Sequence, residues 1–153
     1  MRSAPPAAPG PGAVFLKYWL PVLAYVGLIF SVSSLQSTGP TLFRWQDKVE
    51  HTVEYGLFGL LLGRAFRHGL AAPWSLPGVL GAMAAGSFVG AADEIYQRTV
   101  PGRTSDVRDW ATDTAAVIAA VWITRLVAIR AARAPGGGAG APRAARGAEG
   151  PGR

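Results

Sequence analysis

Four long apolar stretches, each bounded or entered by ionisable residues, restrict what this chain can become. They cover residues 14–35, 49–66, 76–95 and 107–127. About 20 residues at 1.5 Å rise cross the hydrocarbon core of a bilayer, so each stretch is long enough to span. Eight of the nine acidic residues lie in three clusters at or just inside the ends of these stretches: Asp47, Glu50 and Glu54; Asp93 and Glu94; Asp106, Asp109 and Asp113. Ionisable groups at such depths are costly and are kept where they face a bundle interior or a polar cavity. The pattern predicts an all-α integral membrane protein, a four-transmembrane-helix bundle.

The chain divides into a membrane domain over 13–130 and two tails, 1–12 and 131–153, whose Ala, Gly, Pro and Arg content cannot build a core and predicts disorder. The first stretch exceeds the roughly 7–15 apolar residues of a signal-peptide core and has no A-x-A site after it, so it is expected to remain uncleaved. Absence of cysteine excludes disulfides, thiol catalysis and thiolate ligation. The formal net charge is +6, yet the Arg residues sit at helix ends and in the tail, with no basic face or aromatic platform. That distribution suits anionic lipid head groups as partners and argues against nucleic acid.

Four crossings put both termini and the loop after the second helix on one side, with ten of the fifteen Lys and Arg residues. The positive-inside bias then places the termini in the cytoplasm and all three acidic clusters at the outer surface. Residues three or four apart share a helix face. Gly78, Ala82, Gly86, Gly90 and Glu94 form one stripe; Asp109, Asp113, Ala116 and Ala120 another; Asp47, His51, Tyr55, Gly59 and Gly63 a third. Small residues let membrane helices approach closely, so each stripe predicts an interface that ends in a polar patch. One shared polar pocket, open to the outside, is the expected result.

Each candidate also has a structural role open to it. Asp106 and Asp109 occupy a first helical turn, where Ser105 or Asp106 could cap the helix and a carboxylate complements its positive end. Asp47 and Glu50 stand at the membrane edge, where Asp47 could pair with Lys48 or Arg44. Glu94 could clamp Arg103 or Arg108. His51 could be a general base, a metal ligand or a tie between helices. Trp45 and Trp110 suit the interfacial belt.

The run Asp47, Lys48, His51, Tyr55 at the start of a hydrophobic helix resembles the D-K-x-x-H-x-x-x-Y signature of VanZ-like membrane proteins. Asp93, Glu94 and Gln97, followed by Pro101, Gly102, Arg103, Asp106 and Asp109, are similar to that family's second conserved block. The resemblance runs from about Val14 to Val127. It implies a multi-pass protein of the bacterial cytoplasmic membrane, related to an accessory factor of teicoplanin resistance, with no settled biochemical activity. The chain departs from the family's pattern at Asp113, where Asn is frequent, and by Ala in place of Gly along the fourth helix.

Three functions are then open. The first is an envelope accessory protein that binds a glycopeptide antibiotic or a lipid-linked wall precursor in the outward pocket. Its ligand set would be Asp47, Lys48, His51, Glu54, Tyr55, Asp93, Glu94, Gln97, Arg103, Asp106 and Asp109, with Arg98, Arg103 and Arg108 at the rim to hold an anion. The second is a membrane enzyme acting on a lipid-linked phosphate or ester, with His51 and Glu54 as base and orienter. The chain carries no P-loop, G-x-S-x-G or H-E-x-x-H motif. No cofactor is expected, although Asp93, Glu94 and Asp109 could hold a hard divalent cation through oxygen. The third, ion movement, would need an oligomer, for which the small-residue faces are suited, because no chain of ionisable groups crosses the bundle.

Overall fold

In the computed structural model, residues 9–35, 43, 45–68 and 75–133 are described, the side chain of Ala132 excepted. They form four helices: α1, Pro11–Ser33; α2, Gln46–His68; α3, Leu76–Gln97; and α4, Val107–Arg133. No strand occurs among the described residues. The helices run alternately up and down. Arg64 near the end of α2 reaches the Lys17 carbonyl at the start of α1, and Glu94 at the end of α3 meets Asp106 just before α4.

Three of these helices, not four, are long and apolar enough to cross a membrane: Pro11–Ser33, Leu76–Gln97 and Val107–Ala131. The expectation of a fourth span fails at α2. That helix has 23 residues, but Asp47, Lys48, Glu50, Glu54, Arg64 and Arg67 leave it a mean hydropathy too low for a spanning segment. The count of Lys and Arg per side presupposes four crossings, so with three it no longer fixes the orientation.

The helix boundaries also move. Helix α1 begins at Pro11, inside the expected tail, because proline is favoured in a first turn where no N–H partner is required. Helix α4 continues to Arg133, since the run after Val127 contains no residue that breaks a helix. The remainder of both tails lies outside the described residues.

Pro21 shapes α1. It has no N–H to give the Lys17 carbonyl four residues earlier. That carbonyl instead accepts the Arg64 guanidinium at 3.0 Å, and the preceding turn, Phe15–Trp19, is wound as a π-helix. At its other end α1 is closed from α4's side of the chain. The Val100 carbonyl accepts the Arg103 N–H at 3.1 Å around Pro101 and Gly102, and Gly102 has φ +82°. Proline followed by a left-handed glycine is the pattern of a type II turn. The turn delivers the Arg103 guanidinium to the Ser33 and Val32 carbonyls at the end of α1, each at 3.3 Å; the Val32 carbonyl also accepts the Leu35 N–H at 2.9 Å.

The core is narrow because the helices touch backbone to backbone. Tyr55, Phe58, Leu62, Val79, Val117 and Val121 are fully or almost fully buried. A Cβ placed on Gly59 would stand 2.9 Å from the Val117 Cα, and one on Gly86 would stand 2.4 Å from the Val117 Cγ1. Glycines of α2 and α3 thus admit Val117 of α4. Outside, Leu23, Leu57, Phe88, Ile95, Ile123 and Val127 are exposed, as on a surface that meets lipid.

Replacing Gly59 by Ala should therefore separate α2 from α4 and cost about 1–3 kcal/mol, the usual range for overpacking. Thermal unfolding in detergent checks this, with Gly56→Ala, which meets nothing within 4 Å, as the matched control. Gly102→Ala should cost about 1–2 kcal/mol through its left-handed backbone alone. An unchanged melting temperature would remove the turn's role in closing α1.

Candidate functional site

The polar residues gather at one end of the bundle, where α1 and α3 finish and α2 and α4 begin. Helix periodicity brings several of them there: Asp47 and His51, Glu94, and Asp109 and Asp113 lie on the stripes that further along become small-residue interfaces. Their arrangement has an outer and an inner part.

The outer part is a cleft of about 500 Å³ between α1, α2 and the turn before α4. Its polar lining comes from Asp47, Glu50, His51, Glu54, Gln97, Arg103 and Ser33. Its apolar lining is Leu28 and Val32 of α1 with Val49, Val53 and Leu57 of α2. Tyr25 ties the two walls together, its hydroxyl donating to the Glu54 carbonyl at 3.1 Å. At the mouth Lys48 bonds both Asp47, at 3.1 Å, and Asp109, joining α2 to α4.

The inner part is packed between α2, α3 and α4. His51 Nδ1 lies 2.8 Å from Asp113 Oδ1, and its Nε2 lies 3.8 Å from Asp47 Oδ1. The His51 ring stacks on Tyr55 at 6.4 Å between centroids. Asp93 accepts from Gln97 Nε2 at 3.0 Å, and the same nitrogen reaches Ser33 Oγ at 3.5 Å. Glu94 Oε2 accepts the Asp106 N–H at 2.9 Å. Two buried carboxylate oxygens, Glu94 Oε1 and Asp113 Oδ2, have no hydrogen-bond partner among the described residues, while the Tyr55 hydroxyl and Asp93 lie beside each other. Buried polar atoms are rarely left unpaired, so such a group points to something that completes it.

Several sequence-level assignments change on this geometry. The residue that holds His51 is Asp113, not Glu54, whose own carboxylate lines the cleft. Asp106 acts as a helix cap, its Oδ1 accepting the Arg108 N–H at 2.9 Å. Glu94 binds a backbone N–H instead of an arginine. Of the three rim arginines only Arg103 lines the cleft; Arg98 is exposed and donates to Ser105, and Arg108 is exposed. The trio Asp93, Glu94 and Asp109 does not form one cation-binding group. The groups with ligand atoms in mutual reach are instead Asp47, His51 and Asp109, and His51, Glu94 and Asp113. Trp110 is tied down, its indole N–H donating to the Ser87 carbonyl at 3.1 Å.

Ser33 and Tyr25 are site residues that sequence reasoning passed over. Both sit on α1, whose apolar run carries no charge near them. The stripe rule does place Asp113 on the inner face, but pairing it with His51 requires the register between α2 and α4.

No curated protein and no solved structure matches the chain. A family model described as VanZ/LLP1 matches residues 17–128. That span takes in α1 from Lys17 onward, all of α2 and α3, the Pro101–Gly102 turn, most of α4, and every residue of the cleft and the inner cluster. The chain belongs to the VanZ/LLP1 family.

Proposed function

We propose that this is a binding protein of the bacterial cytoplasmic membrane, with its cleft at the polar end of the bundle. The cleft takes the junction between the polar head and the lipid tail of an amphipathic envelope molecule. The chemistry fits a lipid-linked wall precursor or a lipid-tailed glycopeptide such as teicoplanin. One observation carries the reading: a single cleft joins a polar half, with Arg103, Gln97, His51 and Glu54, to an apolar half, with Leu28, Val32, Val53 and Leu57. Polar groups fix a head and apolar walls accept a chain, which is how specific small-molecule pockets are built. Arg103 supplies the cationic group for a phosphate or carboxylate.

The test is teicoplanin and vancomycin susceptibility of a sensitive bacterium that expresses the protein. Leu57→Trp fills the apolar half from an exposed position, and Leu23→Trp makes the same change on a lipid-facing position outside the cleft. Wild type and Leu23→Trp should raise teicoplanin tolerance several-fold over the empty host and leave vancomycin unchanged, while Leu57→Trp should not, at matched membrane abundance. Equal tolerance with and without the protein overturns the glycopeptide reading.

A second reading, a hydrolase of a lipid-linked phosphate, is favoured by the His51–Asp113 pair beside the cleft. An imidazole held by a buried carboxylate is the arrangement of a general base and its orienter. Purified protein should then release phosphate from a lipid-linked substrate, with the rate falling at least about 100-fold in His51→Asn. Release that persists without His51 excludes that base.

A further inference from the structure

Glu94 and Asp113 are 5% and 0% exposed, yet each buries a carboxylate oxygen that has no hydrogen-bond partner among the described residues. One ligand atom from each of His51, Glu94 and Asp113 lies within 4.8 Å of the other two. The cationic side chains nearby are committed elsewhere. Lys48 holds Asp47 and Asp109, and Arg103 holds the last carbonyls of α1. Among the described residues no Lys or Arg forms an ion pair with Asp93, Glu94 or Asp113. Three carboxyl groups thus stand buried together with one imidazole. Buried charge is tolerated when it is paired or coordinates a metal.

We infer that His51, Glu94 and Asp113 form a binding site for a divalent transition-metal ion of the zinc type, set between α2, α3 and α4. This goes beyond the cleft-binding reading and does not depend on it. The donor set decides the class of ion. An imidazole nitrogen with two carboxylate oxygens suits Zn²⁺, whereas Mg²⁺ and Ca²⁺ favour oxygen alone. Zinc takes such donors at about 2.0–2.2 Å. The space is provided by Gly90, where a Cβ would come within 3.5 Å of Asp113 Oδ2 and 3.4 Å of the Tyr55 ring. Asp47 Oδ1 lies 3.8 Å from the ring's other nitrogen, Nε2. His51 also lines the cleft, so the ion would lie directly behind the cleft wall.

The test uses the full-length, untagged protein purified in detergent. After chelator treatment it is incubated with Zn²⁺, or with Mg²⁺ in a parallel sample, and desalted, and retained metal is measured by mass spectrometry. Wild type should keep about one Zn²⁺ per chain and no Mg²⁺, and its melting temperature should rise with Zn²⁺, because a ligand that binds only the folded state stabilises it. Asp113→Asn and Glu94→Gln, near-isosteric changes, should lose both effects, and Asp106→Asn, at the helix cap, should keep both. Should either ligand variant fail to fold, Co²⁺ added to wild type decides: visible bands of nitrogen and oxygen coordination that Zn²⁺ displaces support the site. Their absence overturns it. Wild type that retains no Zn²⁺, or no more than Asp113→Asn does, also overturns it and leaves the cluster neutralised by protons. None of these readouts depends on antibiotic tolerance, so this inference and the cleft-binding reading fail separately.

Discussion

Val117 enters the space that Gly59 and Gly86 leave open, and this contact sets how close α4 comes to α2 and α3. In a bilayer the association of helices is driven by packing and hydrogen bonds, since lipid tails are as apolar as the side chains they would replace. A gap of one methyl group at this point would therefore be felt along the whole bundle. About one turn above Val117 on α4 stands Asp113, and on the neighbouring helices Tyr55 and Gly90 lie one turn above the two glycines. The same approach that seats Val117 brings His51 to 2.8 Å from Asp113.

The polar end is held by backbone groups as much as by charge. Arg103 closes α1, Glu94 takes the Asp106 N–H, Asp106 caps α4, and Tyr25 binds a carbonyl of α2. The first three satisfy backbone groups at or next to helix ends, where hydrocarbon offers no substitute for water, and the Tyr25 bond ties α1 to the middle of α2. With these residues engaged in framework bonds, the groups left for chemistry are few: Glu54, Gln97 and the remaining N–H groups of Arg103 in the cleft, and the inner group around His51. The cleft and the inner group share His51 and Gln97, which line the cleft and bond Asp113 and Asp93 behind it.

Much of this was legible in the order of residues. The stripes of α3 and α4 are buried from end to end, as their spacing implies, and Gly90 and Glu94 share a face as expected. The acidic clusters do meet at one end. What the stripes could not give was pairing. Periodicity fixes which face of a helix a residue occupies, but the partner depends on the rotation and axial offset of the neighbour. His51 was matched with Glu54 on its own helix, yet its partner is Asp113, far off in sequence. Glu94 was matched with arginines, yet the tight turn placed a backbone N–H there first. The span expected at α2 fails for a different reason: its apolar stretch is long enough, but the charge it carries sets it apart from the other three helices.

Four helices, a polar end and small-residue faces follow from the order of residues alone, because local periodicity and the cost of exposing backbone in an apolar medium act on each segment separately. Family membership also follows from residues in order along the chain. Only the tertiary structure decided that the acids divide into a cleft and an inner cluster, that Arg103 closes a helix, and that His51 belongs to both parts. Those outcomes depend on distances between helices, which are set by the contact of Val117 with two glycines of other helices, and no single segment contains that information.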